Sequence, residues 1–232
     1  MKLFRTILLL SFYIMIKSAA VASPLIVADE QVTKQALQYT RTEFQIILDA
    51  PFVNPYDAEE ITLDMIITSP AGAALTLPCF YVQGEDAAST WQARFSPQET
   101  GNYHYHFRLM IRGKETECSK EKSFQSIASD KDGFLHVNDF WTLKFDSGTL
   151  FTGIGENVRW EARDFEDSRY TFEYLLSSLA ENNANFLRSW MCPWSLALEW
   201  KHVTSKSYSD SELYFNPDGI KRMDEYIQLA DS

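Results

Sequence analysis

Cysteine and positive charge are both scarce in this chain of 232 residues. It has three cysteines, Cys79, Cys118 and Cys192, and an odd number excludes a chain in which every thiol is paired internally. Lysine and arginine together number 21, against 32 aspartates and glutamates, which gives a net charge of −11. Because binding to phosphate requires a cationic surface, this acidity argues against nucleic acid as a partner.

The apolar run at the N-terminus is too short to span a bilayer. It covers Ile7 to Ile16, follows the basic residues Lys2 and Arg5, and precedes the small-residue site Ala20-Val21-Ala22. This order is typical of a secretory signal. We therefore predict a signal peptide over residues 1–22, cleavage after Ala22, a secreted or periplasmic protein, and no membrane association after cleavage.

Export would make the cysteines relevant to disulfide formation. Cys79 and Cys118 fall in one predicted domain and are candidates for a bridge. The alternative, which we favour, is that they are free, because free cysteine is also a common buried apolar residue. Cys192 has no flanking histidine or base that would activate it as a nucleophile.

With 45% hydrophobic residues, the chain can fill one large core or two smaller ones. Over residues 23–132, alternating segments are separated by turns that contain proline and glycine. This pattern predicts half-buried strands, about six or seven of them, in an antiparallel sandwich. The predicted inward-facing residues are Phe44, Ile46, Leu48, Ile61, Leu63, Met65, Ile67, Trp91, Ala93 and Phe95.

A tyrosine corner is the clearest marker in this region. The segment Glu99-Thr100-Gly101-Asn102-Tyr103 resembles the entry to a late strand of an immunoglobulin-like domain, with Tyr103 as the corner. The strand that follows places His104, His106 and Arg108 on its outer face. Two histidines on one face could bind a metal ion, but no carboxylate or cysteine cluster accompanies them. We therefore predict a solvent-facing strand and no metal site.

After a polar linker, residues 133–232 change to a mixed strand and helix pattern. Phe151–Ile154 and Ala184–Leu187 are strand-length apolar runs, separated by a helical pattern over Tyr170–Ala180. A helix between neighbouring strands implies a parallel pair, whose functional groups lie at the carboxyl ends of the strands. A second helix is predicted to begin at Asn216-Pro217. Its predicted apolar face consists of Ile220, Met223, Ile227 and Ala230.

Several stretches resemble a known family. Gly153-Ile154-Gly155-Glu156-Asn157, Asn183-Ala184-Asn185-Phe186-Leu187-Arg188-Ser189-Trp190 and Leu198-Glu199-Trp200 resemble the start of the catalytic barrel in clan A (cellulase-like) glycoside hydrolases. The earlier segments Asn54–Asp57 and Trp91–Pro97 look like the immunoglobulin-like domain often fused ahead of such barrels in secreted bacterial enzymes. The implied fold is an all-β immunoglobulin-like sandwich, residues 23–132, followed by the first strand-helix units of an incomplete (β/α)8 barrel, residues 133–232.

The resemblance also implies a sugar-binding site. Arg188 would keep a nucleophilic carboxylate ionised and oriented, whereas the alternative is an ion pair with Glu156 or Asp164 that holds loops together. Indole rings stack on the apolar faces of pyranose rings, although some tryptophans here are expected to serve packing alone. The candidate substrate-binding residues are Glu156, Asn157, Arg188, Trp190, Trp194, Glu199 and Trp200.

The implied function is hydrolysis of a β-linked polysaccharide or oligosaccharide by paired carboxylates. In the family these carboxylates come from later strands, so we expect the catalytic glutamates beyond Ser232 and assign no catalytic residue and no cofactor to this chain. Gly153 and Gly155 are not a dinucleotide fingerprint, because Val158 occupies the place of the third glycine. The alternative function is a non-catalytic carbohydrate-binding or cell-surface interaction protein.

Overall fold

The structure is a computed structural model that describes residues 25–85, 88–162, 167–204, 206, 208–212 and 214–231. The predicted signal peptide lies outside the described residues, so its cleavage stays a prediction. The described part of the chain is mostly strand. It forms two large sheets that are antiparallel except for the pairing of the second and tenth strands, a small antiparallel meander and a separate short parallel pair of strands.

The first ten strands build the two large sheets. In chain order they are β1 (Ile26–Gln31), β2 (Ala36–Leu37), β3 (Thr42–Leu48), β4 (Ile61–Thr68), β5 (Ala74–Pro78), β6 (Phe80–Glu85), β7 (Ala88–Phe95), β8 (Gly101–Ile111), β9 (Lys114–Cys118) and β10 (Lys122–Ile127). One sheet has the order β1-β3-β7-β6. The other has the order β2-β10-β8-β4-β5, and β9 pairs with β8 at one end.

The alternation in the sequence fixes which face of each strand is buried. In the pairing of β3 with β7, Phe44 lies opposite Ala93 and Ile46 lies opposite Trp91, so large and small inward side chains meet. A single apolar core contains buried residues from both sheets. The predicted inward residues are confirmed as buried except Phe95, which is partly buried against the same core, and a sandwich-like fold is confirmed for this part of the chain.

The tyrosine corner is present as predicted. The Tyr103 side chain is almost fully buried, and its hydroxyl accepts a hydrogen bond of 2.9 Å from the backbone N–H of Glu99. Its ring stacks on Phe124, with the ring centroids 5.1 Å apart. The bond ties the turn before β8 to the core, because Glu99 precedes the strand in which Tyr103 lies.

Beyond the sandwich, the chain forms smaller elements. These are β11 (Leu135–Val137), β12 (Leu143–Phe145), β13 (Leu150–Phe151), β14 (Gly155–Asn157), a 3-10 helix (Ser168–Tyr170), α1 (Phe172–Glu181), β15 (Phe186–Arg188) and α2 (Pro217–Asp231). Strands β11, β12 and β13 form an antiparallel meander. In the described residues, no helix combines the length and apolar composition needed to cross a membrane.

The predicted incomplete (β/α)8 barrel is wrong. Strands β14 and β15 do pair in parallel on either side of α1, as the pattern indicated, but each has only three residues. No third strand joins this pair within the described residues, and its side chains are mostly exposed. Barrel strands are instead covered on both faces, by packed side chains inside and helices outside. The described fold is a sandwich with a small mixed α/β unit attached.

Strand and helix positions also differ from the prediction. The expected strand Phe151–Ile154 is divided between β13, which is antiparallel, and the segment before β14, which belongs to no strand. Helix α1 is capped by Thr171 and ends at Glu181, with Asn182 as its C-cap, close to the predicted limits. Helix α2 begins at Pro217 as predicted, and the Asn216 side chain caps it by accepting bonds from the N–H groups of Asp218 and Gly219.

The buried face of α2 is rotated from the predicted one. Gly219 and Arg222 are the buried residues of the helix, while Ile227 is 52% exposed. A side chain at Gly219 would collide with the carbonyl oxygen of Ala197, 2.4 Å from the position of its Cβ. Close backbone packing and a buried arginine set this face, and neither is visible as apolar periodicity. The side chains that complete the contact with α1 are Met223, Tyr226 and Leu229.

The sandwich contacts α2 and the segment before it. Arg94 forms two hydrogen bonds with Asp224, of 2.7 and 2.9 Å, and the rings of Tyr56 and Phe215 meet edge to face at 5.2 Å. A mainly apolar cavity of about 540 Å³ lies beside these contacts. Cys79 lines it, and burial, reinforced by Asp64, raises the pKa of this thiol.

The three cysteines are free. Cys79 is buried and Cys118 is exposed, so the candidate bridge between them is not formed, in agreement with the alternative that we favoured.

Candidate functional site

The parallel pair β14 and β15 places the predicted site residues side by side. Asn157 lies opposite Arg188, and Glu156 lies opposite Leu187. All of Glu156, Asn157 and Arg188 are exposed. The prediction placed Glu156 and Asn157 after the first strand, whereas they form part of β14 itself.

Two residues of the quoted motifs have structural roles in this pairing. Asn185 receives a hydrogen bond from the Ile154 N–H at 2.8 Å, and its amide donates to the Thr152 carbonyl at 3.0 Å. Gly155 lies against the next strand, because a Cβ added there would be 1.6 Å from the Phe186 carbonyl oxygen. The second glycine of the Gly-x-Gly segment therefore permits close strand pairing.

Three indole rings gather just beyond the carboxyl ends of β14 and β15. The centroid of Trp160 lies 5.8 Å from that of Trp190 and 5.7 Å from that of Trp194. Trp190 and Trp194 are 42% and 41% exposed, so much of their ring surface is open to solvent. We call Trp160, Trp190 and Trp194 the tryptophan surface. Trp190 and Trp194, two of the predicted substrate-binding residues, are thus brought together by contact with Trp160.

Arg159 fixes one edge of the tryptophan surface. Its backbone carbonyl accepts hydrogen bonds from the backbone N–H of Trp190 at 2.7 Å and from the Ser189 hydroxyl at 3.2 Å. Its guanidinium lies over the Trp190 ring, 5.8 Å from the centroid, in a cation–π arrangement. The two loops that follow the parallel strands are therefore joined by main-chain as well as side-chain contacts.

A buried ion pair lies directly behind the tryptophan surface. Arg222 of α2 binds both carboxylate oxygens of Glu161, at 2.7 and 2.6 Å, and both residues are nearly fully buried. Glu161 also accepts a hydrogen bond of 3.2 Å from the Phe172 N–H at the start of α1. Burial lowers the pKa of Arg222, but Glu161, Glu173 and Glu225 together outweigh that effect and raise it. The guanidinium is therefore held charged. Trp160 directly precedes Glu161, one of the carboxylates that bind it.

The remaining predicted residues lie on the loop that leads to α2. Glu199 is exposed and Trp200 is half-buried. The carbonyl of Trp200 accepts a hydrogen bond from the Asn216 side chain at 3.3 Å, which connects this loop to the cap of α2. Cys192 is buried beside a tight turn closed by reciprocal backbone bonds with Ser195.

The exposed polar groups beside the tryptophan surface suit a neutral, hydroxyl-rich ligand. Within the described part of the chain, no carboxylate lies within ion-pair distance of Arg188. Its alternative pairing with Glu156 is therefore not formed, while Asp164 lies outside the described residues. Open indole faces next to amide, carboxylate and guanidinium groups can stack on a sugar ring and bond its hydroxyls. Among the described residues, no group of three histidine, cysteine or acidic side chains could hold a metal ion.

Sequence reasoning missed the residues that support this site. The sequence analysis did not identify Arg159, Glu161 and Arg222. Arg159 contacts Trp190, and the ion pair of Glu161 with Arg222 holds the residue next to Trp160. The available signal lies outside the predicted apolar face, because Arg222 shares a helical spacing with Gly219, Tyr226 and Leu229 and is the charged residue among them. A charge in that place requires a buried partner, and the sequence alone does not name Glu161 as that partner.

By its fold and site, the chain is a β-sandwich protein joined to a small α/β unit that carries exposed indole rings. A family profile described as a domain of unknown function, DUF5060, matches residues 35–110, which lie within the sandwich and make up less than half of the chain. No curated protein matches the sequence of this chain.

A solved structure shares the fold. It is a protein from Bacteroides vulgatus described as a putative glycoside hydrolase, with a TM-score of 0.60 and 19% identity. The match covers 85% of this chain and 39% of that chain, so our chain spans well under half of its length. A cycloalternan-forming enzyme from Listeria monocytogenes is 13% identical over 56% of this chain and 12% of its own, with a TM-score of 0.34, which is too distant to support an argument. The comparisons thus show a shared fold. They do not show the narrower resemblance to clan A glycoside hydrolases.

Proposed function

We propose that this chain is part of a glycoside-hydrolase-related protein and binds a β-linked polysaccharide at the tryptophan surface. The observation that carries the proposal is the open cluster of Trp160, Trp190 and Trp194, with Asn157 and Arg188 at the ends of the adjoining strands. The fold shared with the Bacteroides vulgatus protein supports the same class of function.

In this proposal the chain supplies substrate binding, and the acid and nucleophile of a two-carboxylate mechanism come from elsewhere. Glu161 is the buried carboxylate nearest the tryptophan surface in sequence, but both of its oxygens are bound by Arg222. Glu156 and Glu199 are exposed and suit hydrogen bonds to sugar hydroxyls. Arg188 would act on the ligand as a fixed positive charge.

Binding is tested by titrating the protein with cellohexaose and xylohexaose and following tryptophan fluorescence and heat. We expect saturable binding of at least one hexasaccharide. Trp190→Ala should weaken it by about 2- to 12-fold, because an aromatic contact contributes roughly 0.5–1.5 kcal/mol. The matched control is Trp141→Ala, which removes an indole that is 87% exposed in the loop between β11 and β12.

Two results would contradict the proposed site. One is the absence of binding to either hexasaccharide, and the other is an equal loss of affinity in Trp141→Ala and Trp190→Ala. Release of shorter sugars by this chain alone would overturn the placement of the acid and nucleophile outside it.

The second candidate function is a non-catalytic carbohydrate-binding or cell-surface protein. The same open indole rings favour it, since they require no catalytic carboxylate. Hexasaccharide binding without hydrolysis, by a native protein that contains this chain, would favour this alternative over a hydrolase.

We also propose that the protein is exported and then freed from its leader. The basic start, the apolar run and the Ala-x-Ala site support this proposal. N-terminal sequencing of protein recovered outside the cytoplasm should begin at Ser23, and material that still begins at Met1 would contradict it.

A further inference from the structure

We propose that Arg94 of the sandwich is a positioning residue for the tryptophan surface and that it acts through α2. The proposal rests on the function proposed above, because it gives the sandwich a part in carbohydrate binding. Arg94 does not belong to the tryptophan surface. Its influence would pass through the helix that both regions share.

The first step is the contact between the sandwich and α2. The guanidinium of Arg94 binds both oxygens of Asp224, at 2.7 and 2.9 Å, while its Nε donates to Glu43 at 2.9 Å. It also lies over the Phe80 ring, 4.9 Å from the centroid. Because Glu43 and Phe80 hold the side chain from the sandwich side, the two remaining guanidinium nitrogens of Arg94 are oriented towards Asp224 on the helix.

The second step is the contact between α2 and the loops that carry the indoles. Arg222 holds Glu161, the residue next to Trp160. Burial raises the pKa of Tyr226 and an interaction with Ser189, the residue next to Trp190, acts in the opposite direction, while the Tyr226 ring packs on Phe172 with the centroids 4.7 Å apart. Helix α2 thus reaches both loops of the tryptophan surface.

The geometry of the helix joins these two steps. Asp224 lies two residues after Arg222 and two before Tyr226, so it projects about 200° away from each of them around the helix axis. One face of α2 therefore binds the sandwich, and the opposite face binds the indole-bearing loops. A helix held on both faces cannot shift on one side without moving the contacts on the other.

The experiment compares Arg94→Gln with the matched control Arg108→Gln. Arg108 forms a similar half-exposed ion pair, with Asp64 at 2.9 Å, but both partners lie within the sandwich. The two arginine side chains are 30% and 33% exposed. Both variants should lower the melting temperature by similar amounts, up to about 2–4 °C, because ion pairs of this exposure contribute little.

The readouts separate positioning from general stability. The first is the far-ultraviolet circular-dichroism band that arises from coupling between close indole rings. The second is the affinity for cellohexaose and xylohexaose. We expect Arg94→Gln to weaken the indole band and to reduce affinity by roughly 2- to 30-fold. Arg108→Gln should change neither, and Arg94→Lys, which keeps the charge, should recover part of both.

A second variant guards against misfolding of the first. Asp224→Asn removes the negative charge and one of the two acceptor oxygens of this contact from the helix side, and it leaves Arg94 bonded to Glu43. It should reproduce the effect of Arg94→Gln, and the double variant should add little to either single change. The proposal is overturned if neither variant alters the indole band, or if Arg108→Gln alters it equally. If the unaltered protein binds neither hexasaccharide, the proposed function fails, and the indole band still decides whether Arg94 positions the cluster.

Discussion

The hydroxyl group of Tyr103 holds the turn before β8 against the core of the sandwich. The Tyr103 hydroxyl is buried and accepts the backbone N–H of Glu99. We predict that Tyr103→Phe lowers the free energy of unfolding by about 1–2 kcal/mol, because the N–H loses its partner. Urea unfolding measured by circular dichroism provides the test.

The matched control for this change is Tyr105→Phe on the same strand. Tyr105 is also buried, and within the described residues its hydroxyl forms no hydrogen bond. Its removal should cost less than about 0.5 kcal/mol. Equal losses in the two variants would show that ring packing, and not the corner bond, accounts for the effect.

Tyr105 also leads to a prediction for alkaline pH. Burial raises the pKa of Tyr105 to about 12, and Asp29 contributes in the same direction. The folded state therefore holds this proton more tightly than the unfolded chain, in which the pKa is about 10. Its contribution to stability is fully present below pH 10 and is lost as the pH rises towards 12. We expect the free energy of unfolding to fall over this range, with a shallower fall in Tyr105→Phe; parallel slopes would exclude Tyr105 as a source.

Residue patterns predicted the sandwich well because each strand has one buried face. Phe44, Ile46 and Leu48 alternate with more exposed neighbours, and that alternation survives in the fold. The ion pair of Glu161 with Arg222 was not predictable in the same way. It joins residues 61 positions apart, and no local pattern specifies that distance.

At the scale of elements, backbone contact determined where the parallel strands lie. The apolar run Phe151–Ile154 was predicted as the first strand, yet the parallel partner of β15 begins at Gly155. A strand that packs this closely on its neighbour needs a residue without a side chain. Hydrophobic periodicity cannot detect that requirement, because glycine contributes no apolar signal.

The two glycines of Gly153-Ile154-Gly155 therefore differ in importance. We predict that Gly155→Ala lowers the free energy of unfolding by at least about 1–3 kcal/mol, because its Cβ would overlap the Phe186 carbonyl. Gly153→Ala is the matched control, since its Cβ would meet no backbone atom and would contact the Phe151 ring at 3.2 Å and the Phe186 Cβ at 4.0 Å. Chemical unfolding and the indole circular-dichroism band should both separate the two variants. Similar behaviour would mean that the pairing of β14 with β15 is not the source of the constraint.

At the scale of the whole molecule, the sequence predicted the sandwich and the parallel pair but not the architecture around that pair. Closure of a barrel depends on eight strands with a consistent tilt and stagger, and two strands do not specify it. The barrel was expected from the resemblance to clan A glycoside hydrolases. The exposed three-residue strands β14 and β15 contradict it. The position of the tryptophan surface was better predicted, because chain order alone brings both loops to one end of a parallel pair.

The distribution of buried residues predicts that the two parts of the chain differ in their ability to fold alone. The core of the sandwich draws its buried side chains from Ile26 to Phe124, whereas the described residues of the second part form a smaller cluster around Val158, Phe172, Leu176 and Leu196. Fully burying one such side chain contributes roughly 1.5–3 kcal/mol. So small a core cannot offset the conformational entropy of residues 133–232.

We therefore expect a fragment of residues 23–132 to unfold cooperatively, with a β-type circular-dichroism spectrum. Residues 133–232 alone should show no cooperative transition, since α2 would also lose the Arg94 contact with Asp224. Adding the sandwich fragment should restore the indole band of the second fragment if the contact with α2 is strong enough to act between separate chains. A helical spectrum from residues 23–132 would contradict the domain boundary. A cooperative transition in residues 133–232 alone would show that the second core is sufficient without the sandwich.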